Sequence, residues 1–596
     1  MSKITIGQII KSEREKQNIN KRKLSYGICT RQMLYRIEEN NCNEDKFLLD
    51  ILLQRLGKSP DKLEIVLNYQ EYEKVRIRDT INESLLKKKY DKAEYLLEKH
   101  VSVFKNNEDV RGMFYYRTKA YIEAEKNNIE KAVEYIRKAL DITLKDWENE
   151  GIDGYLISTY EMENLLFYGK LIYMMGNNKE AFTHLKQCLN YIECNFSDQE
   201  EMAKIYPKCV WLIANTLQED DFQIIHLCEN TLEKLRMQAI SYFMPPIMDI
   251  LIGVYKKQGN IIRAEFWERY YSILIKLYGE YQSQISLDCL FYNPYQCEYH
   301  LDYEIIRYER MARQCSQWEL VDGIFKNRET LSRIENGKTI PKGMNFNSLM
   351  RALNIDKERF NGFVCTESFL IMEMKNKLDF YLSTYRLKDA EMQLKMIEEA
   401  LDNSIKNNRL FIRNIRNIIQ RFEGEITNEE MLLQGEALLA ETYDYEKNDR
   451  VPMRNEALII AQQISIMYSM GDKVNAISKL KRVLSLYGKS KIKIKYRSRS
   501  YGILFANYIK YLAENNKEKI AERMADTGIK RELYVGKLSI LGNCLLIKGC
   551  VCENKSEEEV KSYIRDAFYL YELCYNENES ELIRQYYYEV FGQEIA

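Results

Sequence analysis

The stretch Ser316-Gln317-Trp318-Glu319-Leu320-Val321-Asp322-Gly323-Ile324-Phe325-Lys326-Asn327-Arg328-Glu329-Thr330-Leu331-Ser332-Arg333-Ile334-Glu335-Asn336-Gly337 decides how this chain is read. Ser316 is placed to cap a short helix. That helix ends at Gly323-Ile324, where glycine relieves a tight turn. Asn327 then caps a second helix, which ends at Asn336-Gly337. Leu331 and Ile334 are three apart and share its buried face, leaving Arg328, Glu329, Ser332 and Arg333 outside. A short helix, a glycine turn and a second helix with a polar outer face form a helix-turn-helix. The second helix of that device fits the major groove of double-stranded DNA.

The same string resembles the phage-repressor-like (XRE-type) helix-turn-helix family, whose five-helix domain would cover about residues 301–362. The resemblance implies that Gln317 contacts backbone phosphate and that Arg328, Ser332 and Arg333 lie toward bases or phosphates. Glu329 departs from the small polar residue common there. It either accepts from cytosine N4 or weakens DNA binding by its charge.

Working outward, an upstream segment matches this one. Ile9-Ile10 and Glu13-Arg14 align with Ile305-Ile306 and Glu309-Arg310, and Leu24, Gly27 and Ile28 align with Leu320, Gly323 and Ile324. After one extra residue, Arg31, Leu34, Arg36, Ile37 and Glu38 align with Arg328, Leu331, Arg333, Ile334 and Glu335. Leu52 and Leu56 follow, matched to Leu349 and Leu353. Identities in one order with one gap predict two tandem halves. The first unit spans residues 6–63. Asn20 replaces the capping serine, Lys21-Arg22-Lys23 opens the first short helix, and Thr30 caps a recognition helix showing Arg31, Gln32, Tyr35 and Arg36. The Asn-Gly terminator is lost, giving Glu39-Asn40-Asn41. Between Lys21 and Arg36 there is no acidic residue, which suits a phosphate backbone. Arg31 and Gln32 are placed to read guanine and adenine edges. The alternative for each unit is a helix-turn-helix kept for packing or dimerisation.

The long remainders, 64–300 and 363–596, read as helical hairpins in series. Asn127-Asn128 precedes Ala132, Ile136 and Ala139; Gly176-Asn177 precedes Ala181, Leu185 and Cys188; Gly259-Asn260 precedes Ala264. In the second half Gly471-Asp472 precedes Ala476, Leu480 and Val483. Each polar turn ends one helix, and a small residue lets the next approach closely. Leu165, Tyr168-Gly169 and Ile172 supply the first helix of the second hairpin, and Leu232, Leu235, Leu394 and Ile397 mark more degenerate units. The pattern resembles tetratricopeptide-type repeats, with an irregular α-solenoid as the alternative. Either gives an all-α chain with a concave face. Arg117, Tyr121, Lys170 and Tyr173 fall on the inner face of first helices and are the candidate ligand-binding residues.

Composition bounds the rest. With 25 Gly and 7 Pro in 596 residues, turns are too few for an all-β protein, and 45% apolar residues exclude wholesale disorder. His100, His184, His226 and His300 are the four histidines, scattered, and no metal spacing, phosphate loop or nucleophile triad occurs, so neither an enzyme nor a cofactor is expected. The opening MSKITIGQIIKSERE carries no apolar signal region. The most apolar stretch, Met237 to Tyr255, holds Asp249 and Pro245-Pro246 and suits a bent core helix better than a membrane span. Fourteen cysteines without a Cys-x-x-Cys pair, Cys550-Val551-Cys552 being the closest spacing, fit a reducing cytoplasm. Net charge is -1, yet residues 1–63 hold 13 basic against 8 acidic groups and residues 301–362 hold 11 against 9. Two basic heads therefore sit on an acidic remainder. The acid-free run from Lys479 to Ser500 reads as an anion contact or, more plainly, a solvated face.

Domain order and the two helix-turn-helix motifs together resemble the cytoplasmic peptide-pheromone receptors of Gram-positive bacteria (the RRNPP group). The resemblance implies a DNA-binding regulator controlled by a short peptide on the concave face of the repeats. Two modules in one chain depart from that family's single module. They would make an intramolecular pseudo-dimer, with or without further homodimerisation, over half-sites roughly 34 Å apart. The competing expectation is a repeat scaffold for a protein partner that has lost DNA binding.

Overall fold

The computed structural model describes residues 5–39, 45–104, 110–216, 221–294, 297–341, 343–353, 360–362, 364–383, 385–443, 449–538, 540–551 and 555–595. Asn40-Asn41 and Cys552 lie outside them. The first unit comprises α1 (Ile6–Lys16), α2 (Lys21–Ser25), α3 (Arg31–Glu38) and α4 (Lys46–Arg55), followed by β1 (Leu63–Leu67). Next come α5 (Tyr69–Leu86), α6 (Tyr90–Lys99), the single turn α7 (Val101–Phe104), α8 (Val110–Glu125), α9 (Ile129–Thr143) and the short α10 (Trp147–Glu150). The first stack continues with α11 (Thr159–Met174), α12 (Asn178–Asn195), α13 (Gln199–Thr216), α14 (Asp221–Met237), α15 (Met244–Lys257) and α16 (Ile261–Gln282). Then follow β2 (Glu298–Leu301), α17 (Asp302–Ala312), α18 (Gln317–Val321), α19 (Arg328–Glu335), α20 (Gly343–Ala352) and β3 (Phe360–Gly362). The second stack holds α21 (Phe369–Ser383), α22 (Leu387–Ala400), α23 (Lys406–Phe422), α24 (Asn428–Ala440), α25 (Arg454–Ser469) and α26 (Lys473–Lys489). It ends with α27 (Ser498–Glu514), α28 (Glu518–Val535), α29 (Leu541–Cys550), α30 (Glu557–Leu573) and α31 (Glu577–Phe591).

The fold is helical hairpins in series, as the turn signals predict. Asn127, Gly176, Gly259 and Gly471 all adopt positive φ between paired helices. The small residues that follow, Ala132, Ala181, Ala264 and Ala476, are buried; after Ala132, Ala181 and Ala476 the positions four and seven further along are buried too, and after Ala264 the stripe runs through Trp267 and Tyr270. Gly169 allows one close approach: a Cβ there would meet the Leu185 side chain at 2.7 Å. One apolar core runs from the first unit through the first stack into the second. The second unit has its own core of Ile305, Ile306, Leu320, Leu331, Ile334, Leu349 and Leu353, which Val66 of β1 enters.

The chain is predominantly helical, as expected, with three short strands added: β1 pairs in parallel with β2 and antiparallel with β3. One expectation needs correction. Pro245 and Pro246 do not bend one helix. They occupy the first turn of α15, where a missing N–H costs nothing, and α14 has already stopped at Met237. No helix among the described residues is long and apolar enough to cross a membrane.

The halves meet reciprocally at two places. In the β1–β3 pair Glu64 stands opposite Asn361, with Leu63 opposite Gly362 and Ile65 opposite Phe360. Between the α14–α15 and α28–α29 connections, Ile240 faces Lys537 in an antiparallel bridge. There Ser241 donates to the Gly536 carbonyl (3.1 Å) and Leu538 donates to the Ala239 carbonyl (2.9 Å). Both central pairs have the sequence separation that relates Arg31 to Arg328 and Leu52 to Leu349. Positions at that one offset thus face each other at both places.

The basic run divides: Lys481, Lys489, Lys491 and Lys493 are exposed, as a solvated face requires, whereas its last three cations turn inward. Lys495 lies between Asp79 (3.2 Å) and Glu83 of α5. Arg497 donates to the Tyr299 carbonyl of β2 (2.8 Å), and Arg499 pairs with Glu200 (3.0 Å). Asp79, Glu83 and Glu200 belong to the first half of the same chain, and Glu304 of α17 lies 3.7 Å from Arg497.

Candidate nucleic-acid interface

In the first unit, Asn20 accepts from the Lys23 amide (2.9 Å) and Thr30 from the Met33 amide (3.1 Å), so both short helices start where their caps dictate. Leu34 and Ile37 turn α3 inward, and Arg31, Gln32, Tyr35 and Arg36 stand exposed. Among the described residues, the side chains of Arg22, Arg31, Gln32 and Arg36 have no polar partner. Lys21 is committed within the unit: its ammonium pairs with Glu38 (3.1 Å) and lies 4.6 Å from the Tyr35 ring centre.

The second unit repeats the geometry. Ser316 and Glu319 form a capping box on α18, and Asn327 accepts from the Thr330 amide (3.2 Å). Arg328, Glu329 and Arg333 are exposed and Ser332 half-buried. Gln317 is used internally. Its amide nitrogen donates to Glu335 (2.6 Å) and its oxygen accepts from Arg328 (3.0 Å). Gln317 therefore aims the Arg328 guanidinium. Acidic Glu319, Asp322 and Glu329 share this face, whereas the first unit's face is uniformly basic.

Behind each of α3 and α19 lies a buried ion pair. Arg14 Nε and Nη2 donate to Glu38 (2.6 and 3.1 Å), and Arg310 donates likewise to Glu335 (2.5 and 3.0 Å). Each planar guanidinium fork binds its carboxylate with two hydrogen bonds and fixes α3 or α19 against the first helix of its unit. These residues were visible only as alignment identities.

Sequence reasoning missed the joints to the repeats altogether. Arg55 of α4 reaches Glu161 at the start of α11 (Nε, 3.0 Å) and the Tyr26 carbonyl (2.5 Å) in the helix-turn-helix turn. Arg450 of the second stack joins Glu309 of α17 (2.5 Å) to Glu456 at the start of α25 (2.7 Å). Each helix-turn-helix unit is thus tied to the capping glutamate of a repeat helix. A cavity of about 350 Å³ adjoins the first joint, lined by Arg22, Lys23, Tyr26, Arg55 and Glu150.

The ligand candidates separate into two pairs. Arg117 and Tyr121 are buried, Arg117 against Glu163 (3.1 Å) and the Phe291 ring. Lys170 and Tyr173 are partly exposed, Lys170 lying 6.0 Å from the Trp211 ring centre. The four do not form one open surface. Among the described residues no group of three or more His, Cys, Asp or Glu is arranged to hold a metal ion.

No known protein-family model matches this chain, and no curated protein does. Among solved structures, it is similar to Bacillus thuringiensis PlcR in complex with the peptide PapR7 and DNA. The identity is 13% over 47% of this chain and 98% of that one, with a TM-score of 0.33. Similar too are ComR from S. thermophilus with DNA and its signalling peptide ComS (17%, 48% and 97%, TM-score 0.30) and the Streptococcus dysgalactiae pheromone receptor Rgg2 (13%, 48% and 99%, TM-score 0.26). These likenesses are of shape, are distant, and each spans about half of this chain.

Proposed function

We propose that the chain is a sequence-specific DNA-binding regulator of transcription, acting in the cytoplasm, with two unlike reading heads on one polypeptide and a peptide or protein ligand on its helical repeats. The observation that supports it most is the reciprocal meeting of the halves at Glu64–Asn361 and Ile240–Lys537. That symmetry favours a tandem duplication, in units 6–63, 64–300, 301–362 and 363–596, folded as an intramolecular pseudo-dimer. Its two recognition helices would address inverted half-sites. Because α3 offers Arg31, Gln32, Tyr35 and Arg36 while α19 offers Arg328, Ser332 and Arg333, the half-sites differ. Lys21, Arg22 and Gln317 act beside them, Arg22 on phosphate and the other two by steadying the recognition helices.

The test is selection of bound sequences from random duplex DNA, then titration at several salt concentrations. Arg31→Ala and Arg328→Ala should each cost about 1–3 kcal/mol of binding and relax only one half-site. Arg22→Ala should weaken all sequences alike and lower the salt slope by about one. Absence of salt-dependent binding in the wild type would instead support a protein-binding scaffold, a reading that the acidic residues around α19 favour.

A further inference from the structure

The segment joining the halves does not behave as a surface connection. After Gln282 it buries Cys289, Leu290, Phe291 and Tyr292 in succession, although connecting segments normally run over the surface. It crosses one helix after another of the first stack. Ser286 donates to the Leu86 carbonyl of α5 (2.9 Å), and Tyr242, ahead of α15, donates its hydroxyl to the Ser286 and Cys289 carbonyls (3.1 Å each). The Phe291 ring lies 5.5 Å from Tyr121 of α8 and 5.1 Å from Phe167 of α11, with the Arg117 guanidinium 4.4 Å from its centre. Two residues on, Asn293 accepts from Lys208 of α13 (2.8 Å) and donates to Glu163 of α11 (2.8 Å). Glu163 also pairs with Arg117 (3.1 Å) and Lys208 (2.6 Å).

Three buried charges in one place are a poor way to hold a stack together, since an apolar set of similar volume does as well. They do suit recognition. A cation covers the aromatic face, and charged groups bind both ends of the side-chain amide. We propose that Arg117, Glu163 and Lys208 form a peptide-recognition site whose resident ligand is the chain's own segment from Leu287 to Pro294. An external peptide with an aromatic residue two positions ahead of an asparagine enters by displacing it. Being tethered, the resident competes at an effective concentration of roughly millimolar, so the site is closed until the segment leaves.

This rests on the ligand-controlled reading of the repeats, but its readouts involve no DNA, so the two fail separately. In the full chain, cysteine alkylation is followed residue by residue by mass spectrometry. A synthetic peptide of residues 288–294 with Cys289→Ser is titrated into wild type and Asn293→Ala. In the wild type, buried Cys289 should react at least about tenfold more slowly than exposed Cys194. Asn293→Ala should speed Cys289 while Cys188, buried between α12 and its neighbours, stays protected. That variant should bind the peptide at least about tenfold tighter than wild type. Equal reactivity of Cys289 and Cys194 in the wild type overturns the proposal, as does equal or absent peptide binding by both proteins. If Cys188 becomes reactive in Asn293→Ala, Phe291→Leu replaces it under the same criteria.

Discussion

Glu161 shows how much one side chain can decide. Burial pushes its carboxyl up, but the Arg55 charge and hydrogen bonds from Arg55 and Ser158 outweigh that and hold it below its ordinary 4.5. Glu161→Gln should therefore strand Arg55 without a counter-charge and destabilise the joint between the first unit and the first stack by about 3–5 kcal/mol. Pairing Arg55→Met with Glu161→Leu should recover most of the loss, read by chemical denaturation. The pH dependence has a definite sign. A carboxylate with a depressed folded pKa stabilises fully above 4.5, and the contribution fades as pH falls through the lower folded value. The wild-type joint should loosen in that acid range, and Glu161→Gln should be less sensitive there. None of this was legible in advance. Ser158-x-x-Glu161 is readable as a capping box, but its partner Arg55 lies far upstream on another element.

At the scale of elements, the helix-turn-helix turns were legible and what they touch was not. Gly27 and Gly323 align and both adopt φ +70°, the conformation their tight turns demand. A Cβ at Gly27 would meet the Thr143 carbonyl oxygen at 2.4 Å, at the end of α9; at Gly323 it would meet nothing within 4 Å. Gly323→Ala should thus cost only the left-handed backbone penalty, about 1–2 kcal/mol. Gly27→Ala should cost more and push the first unit off α9, seen as faster amide exchange across α2 and α3. The repeat helices were readable because turn, small residue and buried stripe recur within a few positions. Only the end of the basic run at 479–500 was misread, because the carboxylates that Lys495 and Arg499 meet, Asp79, Glu83 and Glu200, come from the other half. The three strands were missed for the same reason: each pairs only with a segment distant in sequence.

For the whole molecule, the sequence repeat predicts two halves and says nothing of how they would face each other. Only the registers at Glu64–Asn361 and Ile240–Lys537 supply that. On the proposed function, one 71.0 kDa chain should occupy one DNA site, and native mass spectrometry of the complex should find a single copy. Two copies per site would mean that the intramolecular pair is not the DNA-binding unit. Separate subunits must first find each other, so their grip on a two-part site fades steeply as they are diluted apart. Here Ile240 meets Lys537 inside one chain, at an effective concentration that dilution leaves untouched. On the proposed function, occupancy of a two-part DNA site would then rise hyperbolically with protein amount, and a regulator built this way would work undiminished at low copy number.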